Sequence, residues 1–168
     1  TFDPGELEYE ITYYWQIIAK DEHGASTSGP VWGFTTEETP KPDLSCDGSL
    51  SWIKVKPGET VTGSFTISNI GEPNSNLDWE IVSEPDWGTW TFDPKSGTNL
   101  EPGTPVKVDV TVIAPNEKNE NFTGEVKIVN SMDPSDSCTI YVSLETPKNK
   151  PFAYNLPMLS RQPNDFQT

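Results

Sequence analysis

The chain has 168 residues, with 26 acidic side chains against 11 basic ones and a formal net charge of −15. Such a surface repels nucleic-acid phosphates and anionic headgroups, which argues against DNA, RNA or direct membrane binding, and no apolar run approaches the roughly 18 residues needed to cross a bilayer. Sixteen Pro and 12 Gly point to short strands joined by turns, in a length that holds one domain of about 100 residues plus a smaller piece.

Tyr13, Trp15, Ile17 and Ala19 alternate with Tyr14, Gln16, Ile18 and Lys20, which predicts a strand with one wholly apolar face. Asp21 to Gly29 is turn-rich, and Val31 to Thr36 supplies a second strand with Trp32 and Phe34 on one face. An isolated hairpin is marginal in water. The expectation is therefore that the strands covering Trp15 and Trp32 lie outside the chain. In an isolated monomer the hairpin should be poorly covered, or pack on the second domain or another copy. Leu7, Tyr13, the run from Trp15 to Asp21 and the run from Gly29 to Thr36 resemble a fibronectin type III domain from its E–F corner through strand G. The resemblance implies that residues 1–38 are the C-terminal part of such a domain, with Tyr13 as its tyrosine corner.

Thr39-Pro40-Lys41-Pro42-Asp43 reads as an extended linker, residues 39–43. Beyond it, Leu50 and Trp52 precede a turn at Lys56 to Glu59. Val61, Gly63, Phe65 and Ile67 then alternate with Thr60, Thr62, Ser64, Thr66 and Ser68, a half-buried strand. Leu77, Trp79 and Ile81 repeat the pattern. Asp86 to Phe92 is Trp-rich, Asp93 to Gly97 reads as a turn, and three further strands carry Val106 to Val112, Phe122 to Ile128 and Cys138 to Leu144. About seven strands without helical periodicity predict an all-β chain with an immunoglobulin-like β-sandwich over residues 44–145.

Within that span Ser68-Asn69-Ile70-Gly71, Leu77-Asp78-Trp79-Glu80-Ile81, Trp87, Ser96-Gly97, Leu100-Glu101-Pro102-Gly103 and Gly124-Glu125-Val126-Lys127-Ile128 look like the immunoglobulin-like BACON group and its relatives in large surface proteins. The segment is also similar to repeats of secreted archaeal multidomain proteins. The resemblance implies that Trp79 packs between the sheets, and some such domains are associated with carbohydrate or mucin.

Cys138 shares inward parity with Ile140, Val142 and Leu144, and Cys46 shares it with Leu44, Leu50 and Trp52 if the first strand runs unbroken. A Cys46–Cys138 disulfide is the expectation, and two buried free thiols acting as small hydrophobes are the alternative. Two distant Cys and one His fall short of a zinc site, so no metal is expected. A disulfide implies an oxidising compartment, and Asn121-Phe122-Thr123 is a candidate N-glycosylation sequon. An extracellular or cell-surface setting follows.

Catalysis finds little to work with. His23 stands in a turn without a neighbouring nucleophile, and Asp78 with Glu80 falls on an outward strand face. Trp87 and Trp90, together with Trp52 and Trp79, are candidates for stacking on sugar rings, Trp90 being expected to be the most exposed. Asp93, Asp133 and Asp136 read as turn-capping residues rather than a calcium loop. Residues 146–168 carry four Pro among basic and apolar residues and read as a flexible tail. The expected function is a non-enzymatic extracellular spacer or adhesion module without cofactor. Its expected partners are other domains of its parent protein, cell-surface glycans or other surface proteins. The alternative is a carbohydrate-binding accessory module attached to an enzyme.

Overall fold

A computed structural model describes residues 3–148, and among these it contains strands and no helix. β1 (Thr12–Lys20) and β2 (Ser26–Thr35) form a two-stranded antiparallel sheet of their own. Trp15 lies opposite Trp32 and Tyr13 opposite Phe34, with ring centroids 4.5 and 5.9 Å apart. The register slips between Gln16 and Ile18, beside Pro30, whose nitrogen has no proton to give the ladder.

The remaining strands build a two-layer sandwich. They are β3 (Leu44–Asp47), β4 (Leu50–Trp52), β5 (Thr60–Asn69), β6 (Leu77–Ser83), β7 (Thr89–Asp93), β8 (Ser96–Leu100), β9 (Val106–Ile113), β10 (Asn121–Asn130) and β11 (Ser137–Glu145). One sheet has the order β4-β11-β10-β6-β8 and the other β3-β5-β9-β7. All pairings are antiparallel except β4 with β11.

Two features depart from the sequence expectation. The first strand does not run unbroken: Gly48, at φ 127°, turns the chain from β3 in one sheet to β4 in the other. An added Cβ at Gly48 would sit 3.1 Å from that of Phe65, so only glycine suits this corner. The expected Asp93 to Gly97 turn is likewise a sheet switch. Only Pro94 and Lys95 separate β7 from β8, and Ser96 and Gly97 are already strand. Both switches raise the strand count of the sandwich above the expected seven.

The inward faces follow the alternation. Leu50, Phe65, Ile67, Leu77, Trp79, Ile81, Phe92, Val108, Val110, Val112, Val126, Ile128, Ile140 and Val142 form one buried core. Trp79 is 1 % exposed, as the resemblance implied. It lies opposite Gly97, where a Cβ would come within 2.6 Å of its indole Nε1; glycine there makes room for the ring. The sandwich continues one step past residue 145. Thr146 is buried, and it exchanges hydrogen bonds with Glu120 through its backbone N–H and its hydroxyl. The rest of the expected tail from residue 149 lies outside the described residues.

Candidate functional site

The two cysteines meet. Cys46 on β3 and Cys138 on β11 form a disulfide with Cα atoms 6.0 Å apart. Because β3 and β11 belong to different sheets, the bond ties the two layers together. It closes a sequence separation of 92 residues.

Trp52, Trp87 and Phe122 pack on a small second core of Val55, Ala114 and Leu144, and Trp90 joins them through ring contacts with Trp52 and Trp87. Each indole N–H of the three tryptophans is spent inside the fold. Trp52 donates to the Thr62 carbonyl at 2.9 Å, Trp87 to that of Thr123 at 2.9 Å, and Trp90 to that of Trp87 at 2.7 Å. Trp90, expected to be the most exposed of them, is half-buried, because it shares the inward parity of Phe92 and stacks on it at 6.0 Å and 12°. A sugar at Trp87 or Trp90 would meet ring faces but no free indole donor.

Asn121 is exposed at the first position of β10, opposite Glu145. The next residue, Phe122, turns inward against Trp87. Gly124 accommodates Pro85, whose ring carbons would lie 2.8 Å from an added Cβ, so the segment before β7 is laid across β10.

Acidic side chains of these turns and strands hold neighbouring loops. Asp133 Oδ1 accepts hydrogen bonds from the Ser135 hydroxyl at 2.5 Å and the Ser135 N–H at 3.1 Å. The hydroxyl bond is the larger cause that holds the Asp133 carboxyl below the usual aspartate range. The Asp136 carboxylate accepts from the Leu44 N–H and from Asn130 Nδ2. Asp78 Oδ1 accepts from the Asn99 N–H at 2.8 Å, and among the described residues no cluster of three metal-ligating groups occurs. His23 is exposed, with the Glu22 carboxylate 3.9 Å from its ring.

One residue was not singled out for its side chain. Asn69, buried at the end of β5, accepts from the Asp43 N–H at 3.1 Å and the Gly71 N–H at 2.9 Å, and donates to Ser75 Oγ at 3.1 Å and the Leu100 carbonyl at 3.0 Å. The signal was present in Ser68-Asn69-Ile70-Gly71, where a polar residue takes the core parity of Phe65 and Ile67.

Among the described residues, the hairpin carries a run of exposed aromatic side chains: Trp15 is 49 %, Phe34 47 % and Trp32 39 % exposed. Pro4 and Leu7 extend it into an open groove beside Tyr13 and Trp15. The Tyr13 hydroxyl accepts a hydrogen bond from the Glu8 N–H at 3.1 Å.

Two sheets stacked face to face, mostly antiparallel and closed by strands that switch layers, define the architecture. Among solved structures, the ASH/PapD-like domain 7 of human CEP192 aligns with 64 % of this chain and 87 % of its own, at 16 % identity and a TM-score of 0.51. The fold is immunoglobulin-like. At that identity the likeness bears on fold alone. A Bacteroides ovatus GH5 xyloglucanase (TM-score 0.41, 16 % identity) aligns over 62 % of this chain and 19 % of its own. The cadherin-like domains 1 to 4 of zebrafish RET (TM-score 0.36, 8 % identity) align over 82 % and 34 %. At these TM-scores neither likeness carries weight. No protein-family model and no curated protein matches the chain.

Proposed function

We propose that the chain is a non-catalytic module of a larger extracellular or cell-surface protein, serving as a spacer or adhesion unit. The observation that carries this is the disulfide between the two sheets, a cross-link that persists in oxidising compartments and is rare where thiols are kept reduced. It is supported by where the chemistry-bearing side chains go. Asn69, Asp133, Asp136 and the three indole N–H groups are all engaged within the fold.

Residues 1–38 fit a part of a fibronectin type III-like domain. The bond from the Glu8 N–H to the Tyr13 hydroxyl has the form of a tyrosine corner, and the exposed Trp15–Trp32 ladder is an apolar face for another part of the parent protein or a second copy to cover. Residues 44–145 fit a BACON-like unit, in which Asn69 and Gly71 fix the loop after β5. Asn121 is an exposed acceptor for an N-linked glycan.

Titration with a glycan panel, followed by intrinsic Trp fluorescence, tests this function. The spacer role predicts no saturable change. Saturable quenching lost in Trp87→Ala or Trp90→Ala variants that remain folded would replace it with a carbohydrate-binding accessory module. Peptide mass spectrometry of the secreted protein without reductant should recover Cys46 and Cys138 as one cross-linked pair.

A further inference from the structure

The hairpin ladder and the sandwich are separated by three residues. On the hairpin side the last ladder bond runs from the Glu10 N–H to the Glu37 carbonyl at 2.9 Å. On the sandwich side bonding resumes at Lys41, whose N–H donates to the Glu72 carboxylate at 2.8 Å. Its carbonyl accepts from the Glu72 N–H at 3.0 Å. Asp43 continues the contact: its carbonyl accepts from the Ile70 N–H at 2.8 Å, and its N–H donates to Asn69 Oδ1. Gly71 lies directly against this strand, where an added Cβ would collide with the Lys41 carbonyl and come within 2.7 Å of the Asp43 nitrogen.

We infer that residues 41–43 are a clamped strap and that the junction is a stiff coupling, bonded to the sandwich and not only extended by its prolines. Only Glu38, Thr39 and Pro40 remain between the two anchored ends. Pro40 fixes its own φ, and Thr39 and Lys41 each precede a proline and are held extended. The exposed Lys41–Glu38 ion pair at 3.4 Å adds little. The stiffness comes from backbone bonding to the β5–β6 loop, and that loop is held by the buried Asn69.

The inference rests on the spacer role for its purpose and not for its geometry. A clamped junction makes consecutive units a rod of fixed relative tilt, whereas a free Pro linker would let each unit swing. The tension on a surface protein would then pass from the hairpin unit directly into β3, the strand that carries Cys46.

Amide hydrogen exchange and 15N relaxation on the whole 168-residue chain test it. The Lys41, Asp43, Ile70 and Glu72 amides should be protected, and Thr39 should show an order parameter near the ~0.85 of rigid backbone. Glu72→Ala should lower protection at Lys41 by roughly ten- to a hundred-fold, the range for a hydrogen bond to a charged group, while Val108 and Val126 keep theirs. Gly71→Ala should release Lys41 and Asp43 together; if that variant does not fold, Glu72→Ala alone decides. A Lys41 amide exchanging at the free-chain rate, no change in Glu72→Ala, or an order parameter below ~0.6 at Thr39 would each overturn the clamp. Glycan binding would refute the spacer role and leave these readouts untouched.

Discussion

Replacing both Cys46 and Cys138 by Ala removes the covalent tie between β3 and β11 and frees the unfolded chain from a loop of 92 residues. In the chain-entropy account that loop is worth about 4.5 kcal/mol at 25 °C, nearly all of it through the denatured state. A domain of this size carries about 5–15 kcal/mol in total, so the variant should keep its fold with a much reduced margin. Urea denaturation followed by Trp fluorescence reads this directly. The midpoint should fall, Tm should drop by roughly 20–35 °C at the 4–8 °C per kcal/mol expected for a small domain, and the urea slope m should rise because the uncrosslinked chain expands further on unfolding. The bonded sulfurs are partly buried against the main core, so alanine also forfeits some packing and adds to the loss. A loss under about 1 kcal/mol with an unchanged slope would refute the view that this bond limits the unfolded ensemble.

Gly97→Ala should cost about 1–3 kcal/mol in the same urea assay, because a methyl group there meets the fully buried Trp79 ring, which has no room to move. Asn69→Ala should cost about 3 kcal/mol, since it strands the Asp43 and Gly71 N–H groups and the Leu100 carbonyl; a neutral result would contradict the anchoring of the β5–β6 loop. The Asp133 carboxyl, held low by Ser135, should titrate by 13C NMR below an ordinary aspartate and move back up in Ser135→Ala. Its contribution to stability is present above the unfolded-state pKa and is lost as pH falls through the lower folded-state value. In a dilute monomer the amides of β1 and β2 should exchange well ahead of those of β9 and β10, and iodide should quench Trp15 and Trp32; full protection of residues 13–36 would show that the aromatic ladder is covered.

Much of the sandwich was legible from alternation alone. Val108 to Val112, Phe65 with Ile67, and Leu77 with Trp79 and Ile81 each put their apolar members on one face with period two, and the structure buries those members. The inward parity of Cys138 was equally local. The pairing of the cysteines was not, because it depends on a change of sheet at Gly48, which places Cys46 in the layer opposite β11 although Leu50 and Trp52 continue beside it. The same limit explains Trp90. With Trp79 assigned to the core, the Trp-rich segment left Trp90 as the one expected to face out, and strand β7 with the neighbouring Trp87 carbonyl turned it toward the core.

The sequence by itself determined that this is an all-β chain with a marginal hairpin, a Pro-rich joint and a sandwich core, because period-two burial and turn chemistry act between residues close in the chain. Only the tertiary structure decided which layer each edge strand joins, that the disulfide spans the two layers, and that Lys41 to Asp43 are bound to the β5–β6 loop. Those outcomes depend on groups about 30 to 90 positions apart finding partners, and a hydrogen bond or a disulfide at that separation leaves no periodic trace in the order of residues.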